Sequence, residues 1–255
     1  MSIDNANKLN HLLMGAKDGK LFFSAWLKAN GYSDQLLRQY RTSGWLTMLS
    51  KGVMYRTGSK IKALEALSCY NEQLSKTFHV AAHSALELSG FSHYLPMGKP
   101  KLMVCHTKEE RIPLWMKDVE FDREIVPFST QIFTKQYTHI QTVNDFPLLV
   151  SSPEQAFLEC LLLVPQQYNL MDLYYLMEQL TTLRAEVVQS LLEGCTNNKV
   201  KRLFLYMAEK ANHNWFKDID TTKIDLGTGK YQLSSKGVYL PKYKITMLQE
   251  LHAYE

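Results

Sequence analysis

The chain has 255 residues, 45% apolar and 21% charged, which allows one long domain or two ordinary ones with real cores. No apolar run is long enough to span a bilayer, and the start MSIDNANKLNHLL lacks the basic lead and apolar stretch of an export signal, so a cytoplasmic protein without a membrane partner is expected. The net charge of +4 hides a segregation that suits a polyanion partner for the chain ends: nine Lys/Arg face three acids over 1–60, ten face sixteen over 61–195, and ten face four over 196–244.

Residues Ile3 to Met14 carry Ile3, Leu9, Leu12 and Leu13 at near-helical spacing and predict a first helix, with Gly15 and Gly19 framing its exit. A second helix is expected over Leu21 to Ala29, with Phe22, Trp26 and Ala29 on one stripe and Asn30-Gly31 as its stop. Ser33 is a good N-cap for a third helix that runs to Ser43-Gly44, and Asp34 suits the dipole of its first turn. Only Asn30-Gly31-Tyr32 separates the two, the tight glycine-bearing break of a helix-turn-helix.

In the third helix Leu36, Leu37 and Tyr40 form a core face. Gln35, Arg38, Gln39 and Thr42 fall at i, i+3, i+4 and i+7 on the other face, with Arg41 at its edge. Arg can pair with guanine and Gln with adenine in the major groove of duplex DNA. Trp45 to Leu49 and Val53 to Arg56 then read as strands joined by Ser50-Lys51-Gly52, a hairpin that follows a recognition helix as a wing. Lys51 at its tip and Arg56 on its return strand suit phosphate or the minor groove. The competing reading is a helix-hairpin element used for protein contact.

Helices are expected over 61–75, 81–88, 170–180 and 185–193, and strands over 101–106, 124–128, 131–133 and 138–143. Ser152-Pro153-Glu154-Gln155 is a strong helix start, with Ser at the cap and Pro at the first position. The segment 199–210 reads as amphipathic, with Val200, Leu203, Phe204, Met207 and Ala208 inward and Lys199, Lys201, Arg202 and Lys210 outward. Short strands over 223–226, 230–233 and 243–247 close the chain. The fold class expected is α+β: a winged helix-turn-helix with a linker helix over 1–75, then a mixed α/β domain over 76–255.

Little in the chain resembles catalytic or metal chemistry. Cys69, Cys105, Cys160 and Cys195 form no CxxC pair and read as reduced, buried thiols. His79, His83, His93, Cys105 and His106 have no common zinc spacing. Gly227-Thr228-Gly229-Lys230 lacks the phosphate-loop pattern and reads as a hairpin turn. Asp118, Glu120, Asp122 and Glu124 read as a solvated strand. No catalytic residue, metal or cofactor is expected. A second basic cluster, Lys199, Lys201, Arg202, Lys223, Lys230, Lys236, Lys242 and Lys244, reads either as a further contact to the DNA backbone or as ordinary solvated lysine, with the charge segregation favouring DNA; Lys199, Lys201, Arg202 and Lys230 are its DNA-contact candidates.

The segments WLKANGYSDQLLRQYRTSGWL (26–46), HSALELSGFSHYLP (83–96), LVSSPEQAFLECLLLVP (149–165), LTTLR (180–184), KVKRLFLYMAEKANHNWF (199–216) and IDLGTGKYQL (224–233) together resemble the AbiEi antitoxin family. The resemblance runs along nearly the whole chain. Relatives often show Gly-Lys-Arg where this chain has Gly229-Lys230-Tyr231. The resemblance implies a type IV toxin–antitoxin system of the abortive-infection kind. It implies a winged-helix head that represses its own operon at inverted repeats in the promoter, and a C-terminal domain needed for antitoxin action. It also implies a nucleotidyltransferase-like toxin as functional partner, without stable direct binding. Two other readings compete: an enzyme that reverses the toxin's product, and a protein-binding module that captures the toxin.

Overall fold

The computed structural model describes residues 3–14, 17–91, 98–233 and 237–254. In chain order the elements are α1 (Ile3–Met14), β1 (Leu21–Phe23), α2 (Ser24–Ala29), α3 (Asp34–Thr42), β2 (Leu46–Ser50), β3 (Val53–Arg56), α4 (Ala63–Leu74) and β4 (His79–Val80). Next come α5 (Ala82–Leu88), β5 (Lys101–His106), α6 (Leu114–Asp118), β6 (Glu124–Ser129), β7 (Thr138–Val143) and β8 (Phe146–Ser151). The chain closes with α7 (Pro153–Leu162), α8 (Leu170–Gln179), α9 (Ala185–Gly194), α10 (Asn198–Lys210), β9 (Tyr231–Gln232), β10 (Gly237–Leu240), β11 (Ile245–Leu248) and α11 (Gln249–Ala253). The fold is α+β, and none of the described helices is long and apolar enough to cross a membrane. The chain splits into two compact units that interleave along the sequence: 1–80 with 96–129 and 140–149, and 81–95 with 130–139 and 150–255.

The first unit begins with a winged helix-turn-helix. Its three-stranded sheet has the order β1-β3-β2, with Leu21 opposite Tyr55, Phe22 opposite Met54 and Phe23 opposite Val53. Residues Leu21 to Phe23 were expected to open the second helix; they form this strand instead. All three side chains are buried, and β3 offers an open edge whose backbone groups need partners. Helix α4 then braces the outer edge of β1. The Gln73 amide accepts from Phe23 N at 3.0 Å and donates to Leu21 O at 2.6 Å, and Cys69 Sγ accepts from Leu21 N at 3.3 Å. A side-chain amide thus stands where another strand's peptide group would stand. The start of α4 is capped from a distance: Asp122 accepts from Ala63 N at 2.8 Å, and Glu65 accepts from Lys62 N at 3.0 Å. Asp122 is therefore a cap and not a member of a solvated strand, and Asp118 ends α6.

The same unit holds most of a five-stranded sheet of order β6-β5-β4-β8-β7. Strands β5 and β6 run parallel, with Leu102 opposite Ile125, while β4 and β5 are antiparallel. The turn between β7 and β8 is Asn144-Asp145, at φ 49° and 68°, the left-handed pair that Asn and Asp tolerate in a two-residue hairpin. Phe23, Tyr70, Phe78 and Trp115 form an aromatic cluster with ring centroids 5.5–6.1 Å apart.

In the second unit α7 starts as its sequence suggests, with Ser152 Oγ accepting from Gln155 N and Pro153 in the first turn. Its residues 155–161 are all buried. Buried Gln155 donates to Glu159 Oε1 at 2.8 Å and to Gln136 Oε1 at 2.7 Å, and accepts from Tyr137 N at 2.7 Å. Glu159 Oε2 accepts from Ala82 N at 2.8 Å, so both carboxylate oxygens of this buried side chain have donors. Glu154 is 2% exposed and takes a two-pronged contact from Arg184, at 2.9 and 3.0 Å. Burial pushes its carboxyl up, but the Arg184 hydrogen bonds outweigh that and hold it below the usual range. The small C-terminal sheet has the order β10-β11-β9, with β9 parallel and β10 antiparallel to β11.

Other differences from the sequence reading lie at weak local signals. The strand expected over 131–133 reduces to a single bridge, Phe133 to Cys195. The strand expected over 223–226 is a short 3-10 turn at Thr221–Lys223 and a loop, because Asp220 accepts from Thr222 N at 3.1 Å and curls the chain. His93 and Lys236 lie outside the described residues.

Candidate nucleic-acid interface

Helix α3 is set by its caps and its neighbours. Ser33 Oγ accepts from Leu36 N at 3.2 Å and satisfies an orphan donor of the first turn. The break before it needs φ of +85° at Gly31, a conformation that costs a side chain energy and glycine nothing. Tyr32 N donates to Leu27 O at 3.0 Å, Tyr32 Oη donates to Lys8 O at 3.2 Å, and Lys8 Nζ donates to Gly31 O at 2.9 Å, so the turn is tied to both α2 and α1. Lys28 and Asp34 pair across it at 2.8 Å. Leu36, Leu37 and Tyr40 pack with Leu9, Leu12, Phe22, Leu27, Leu46 and Met54 in one core. Burial raises the phenols of Tyr32 and Tyr40 above their ordinary value.

The polar residues of the helix stay outside that core. Gln35, Arg38 and Thr42 are exposed, and Gln39 and Arg41 are half-buried. Thr42 Oγ1 donates to Gln39 O at 3.0 Å and Arg41 Nε donates to Leu37 O at 3.4 Å, so these two side chains fold partly back on the helix. In the wing, β2 and β3 pair with Leu46 opposite Arg56 and Met48 opposite Met54, and a register shift precedes Ser50. Gly52 turns the chain at φ +79°, and its carbonyl accepts from Ser24 N at 2.9 Å, which anchors the hairpin to the start of α2. Lys51 and Arg56 are both exposed. Reading the sequence did not single out Trp45 and Met48, each 47% exposed on the wing. An apolar run in a hairpin gives no sign of which members the body leaves uncovered.

The second basic cluster behaves differently. Lys201 and Arg202 were expected to point outward from α10, but they are 4% and 3% exposed. Arg202 donates to Leu226 O at 3.0 Å and to Lys244 O at 2.9 Å, fastening two loops of the C-terminal sheet to the helix. Lys199 is half-buried and donates to Leu162 O at 3.1 Å and Val164 O at 2.8 Å, the carbonyl end of α7. Burial pulls its ammonium below the ordinary lysine value. Lys210 is half-buried as well. Helix α10 is amphipathic by sequence, yet its basic face is also covered, and backbone carbonyls take up the charges of Lys199 and Arg202. Lys230 is exposed, with its ammonium 5.0 Å from the centroid of the Tyr239 ring.

His79 lies opposite Cys105 in the β4–β5 pairing, whereas His83 bonds Tyr168 Oη at 2.8 Å in the second unit. Among the described residues no three His, Cys, Asp or Glu side chains come together in a metal-holding group. At Gly227 the N–H donates to Asp225 at 2.7 Å within the loop, and the carbonyl accepts at 2.8 Å from Nζ of Lys244, the residue before β11.

Family comparison decides what this architecture belongs to. A model described as "Transcriptional regulator, AbiEi antitoxin N-terminal domain" matches residues 5–97, and one described as "Transcriptional regulator, AbiEi antitoxin, Type IV TA system" matches 99–248. The chain belongs to the AbiEi antitoxin family. It is thus a transcriptional-regulator antitoxin of the type IV toxin–antitoxin class. No curated protein sequence matches it. Among solved structures, the RV2827C protein from Mycobacterium tuberculosis is similar in fold, with a TM-score of 0.65 at 14% identity over 96% of this chain and 92% of that one. In this AbiEi chain the head with the exposed α3 falls within the N-terminal family match, and α7–α10 fall within the second.

Proposed function

We propose that the head is the operator-binding part of an autorepressor. In this reading residues 1–75 bind duplex DNA at inverted repeats in the chain's own promoter. Residues 76–255 carry the antitoxin role against a nucleotidyltransferase-like toxin, without a stable complex between the two proteins. The observation that carries the reading is the exposed face of α3, where Gln35, Arg38, Gln39 and Thr42 stand outside the core formed by Leu36, Leu37 and Tyr40. The helix enters the major groove, where Arg38 suits guanine O6 and N7 and the glutamines suit adenine N6 and N7. Arg41, Lys51 and Arg56 neutralise phosphates, and Trp45 and Met48 offer apolar surface for thymine methyls and deoxyribose. Lys230 is the remaining candidate of the second basic cluster, since Lys199 and Arg202 direct their nitrogens at backbone carbonyls and Lys201 is buried. A blocked promoter keeps toxin synthesis low.

The test is a gel-shift and footprint series on the chain's own upstream DNA. Arg38→Ala should lose about 1–3 kcal/mol of discrimination at one base position while keeping most of its binding to unrelated duplex. Wild-type affinity and preference in Arg38→Ala would remove α3 as the reading element.

A further inference from the structure

The five-stranded sheet ends in two edges, β6 and β7, and only one of them is guarded against an added strand. Strand β6 carries Glu124 and Pro127, and a proline has no N–H to offer a neighbour. Strand β7, Thr-His-Ile-Gln-Thr-Val, has six residues and no Lys, Arg, Asp, Glu or Pro among them. Among the described residues no strand pairs with its outer side. In the middle of that edge stands Ile140, 64% exposed, and Thr142 is exposed as well.

The hairpin fixes which backbone groups of β7 are open. Its two-residue turn, Asn144-Asp145, makes Val143 and Phe146 a hydrogen-bonded pair, and such pairs recur at every second residue of an antiparallel ladder. The bond from Ser152 N to Tyr137 O, at 2.7 Å, falls on the same count. Residues 139, 141 and 143 therefore direct N–H and C=O toward β8, and Thr138, Ile140 and Thr142 direct theirs away from the sheet. An antiparallel copy of the same strand matches these three residues only when the two-fold axis passes at Ile140. Ile140 then faces its own counterpart, and Thr138 faces Thr142 on either side. Each of these pairs can exchange both of its N–H···O=C bonds. With the axis one residue further along in either direction, Thr138 or Thr142 falls opposite chain beyond the strand.

The side chains agree with the backbone. Directly opposite residues share a face, so Thr stands beside Thr and Ile beside Ile, pairs that stabilise an antiparallel ladder. The hairpin count sets half-buried Leu149 opposite Ile140, so an apolar row of Leu149 and Ile140 from each copy crosses the axis. With no Lys, Arg, Asp or Glu in the strand, no like charges meet there. We propose that β7 is a homodimer edge: two copies of this chain join by antiparallel β7–β7 pairing about Ile140, which merges their five-stranded sheets into one continuous sheet. The proposal does not depend on the reading of the head as a duplex binder.

The test is sedimentation of the full chain, without DNA, from micromolar to sub-millimolar concentration. One strand and its flank make a small interface, so the dimer is weak and the average mass should rise with concentration. Ile140→Lys sets two ammonium groups across the axis and removes the apolar pair, and it should raise the dimer dissociation constant at least ~10-fold. Its urea midpoint in dilute solution should stay at the wild-type value, because Ile140 is exposed. Cysteine variants read the register. Ile140→Cys should cross-link to itself under a mild oxidant, since the Cα atoms of a hydrogen-bonded pair lie about 5.5 Å apart, within disulfide reach. Thr138→Cys mixed with Thr142→Cys should cross-link far more than either variant alone. The four native cysteines are buried, so the wild type should not cross-link. A wild type that stays monomeric at every concentration overturns the proposal and leaves the edge to a strand of another protein. A dimer that Ile140→Lys does not weaken, or that yields no cross-link in Ile140→Cys, assigns the association to another surface and overturns it equally.

Discussion

Consider the removal of the Gln73 amide from beneath β1 by Gln73→Met, which keeps the length of the side chain and discards its polarity. Leu21 O and Phe23 N then lose their partners. Leu21 is 0% and Phe23 3% exposed, so water does not replace the amide without opening the core. Each orphaned buried backbone group costs about 1–3 kcal/mol, so the pair costs between about 2 and 6 kcal/mol. That is a large share of the 5–15 kcal/mol or so that holds a typical domain together. Urea unfolding followed by tryptophan fluorescence should show a lower midpoint with an unchanged slope. Gln73→Glu is the sharper probe: it keeps an acceptor for Phe23 N but sets a carboxylate oxygen against Leu21 O, and it should be at least as damaging as Met. If Gln73→Met unfolds within about 0.5 kcal/mol of wild type, the side-chain amide does not brace the strand and the argument fails.

Other expectations follow from the same geometry. Lys51→Ala should weaken binding to every duplex by a similar factor and lower the slope of log K against log salt by about 1, measured by gel shift across a salt series. Arg202→Met should cost about 2–4 kcal/mol in thermal or urea unfolding, because Leu226 O and Lys244 O lose a charged donor, while the salt slope of DNA binding stays at the wild-type value. Arg184→Met removes the two side-chain bonds to Glu154 but keeps the one from the backbone N–H of residue 184, and with the arginine half exposed it should destabilise the second unit by about 1–2 kcal/mol near neutral pH. The sign with pH is set by the lowered value of Glu154 in the folded protein. Its contribution is complete above the unfolded carboxyl value of about 4.3 and fades as pH falls through the lower folded value. The stability gap between wild type and Arg184→Met should therefore close in acid, and a gap that widens below pH 4 or so would contradict the pairing.

Where a signal is contained within one or two helical turns, the sequence reads well. Ser33 before Asp34, Gly31 three residues after Lys28, and the split of α3 into Leu36-Leu37-Tyr40 and Gln35-Arg38-Gln39 all lie within a dozen residues of one another. The same holds for Ser152-Pro153 at the start of α7. Leu21-Phe22-Phe23 misleads because three successive apolar residues satisfy both a helical stripe and a covered strand. The decision falls to β3, thirty residues on, and to Gln73 in α4. Lys201 and Arg202 mislead for a related reason. Charge at helical spacing signals a solvated face only when nothing else in the chain supplies acceptors, and here the carbonyls of Leu226 and Lys244 supply Arg202's.

By itself, then, the order of residues determined the helix-turn-helix, the wing and the polar stripe along α3, since periodicity and capping act over distances shorter than one element. The family resemblance was legible there too. Folding alone settled that Leu21–Phe23 becomes a strand, that Lys199 and Arg202 turn toward carbonyls while Lys201 is buried, and that Gln166 and Tyr231, 65 positions apart, line one cleft. These outcomes depend on which surfaces meet across long stretches of chain, and burial converts a polar side chain from a solvent-facing group into one that must find a partner inside.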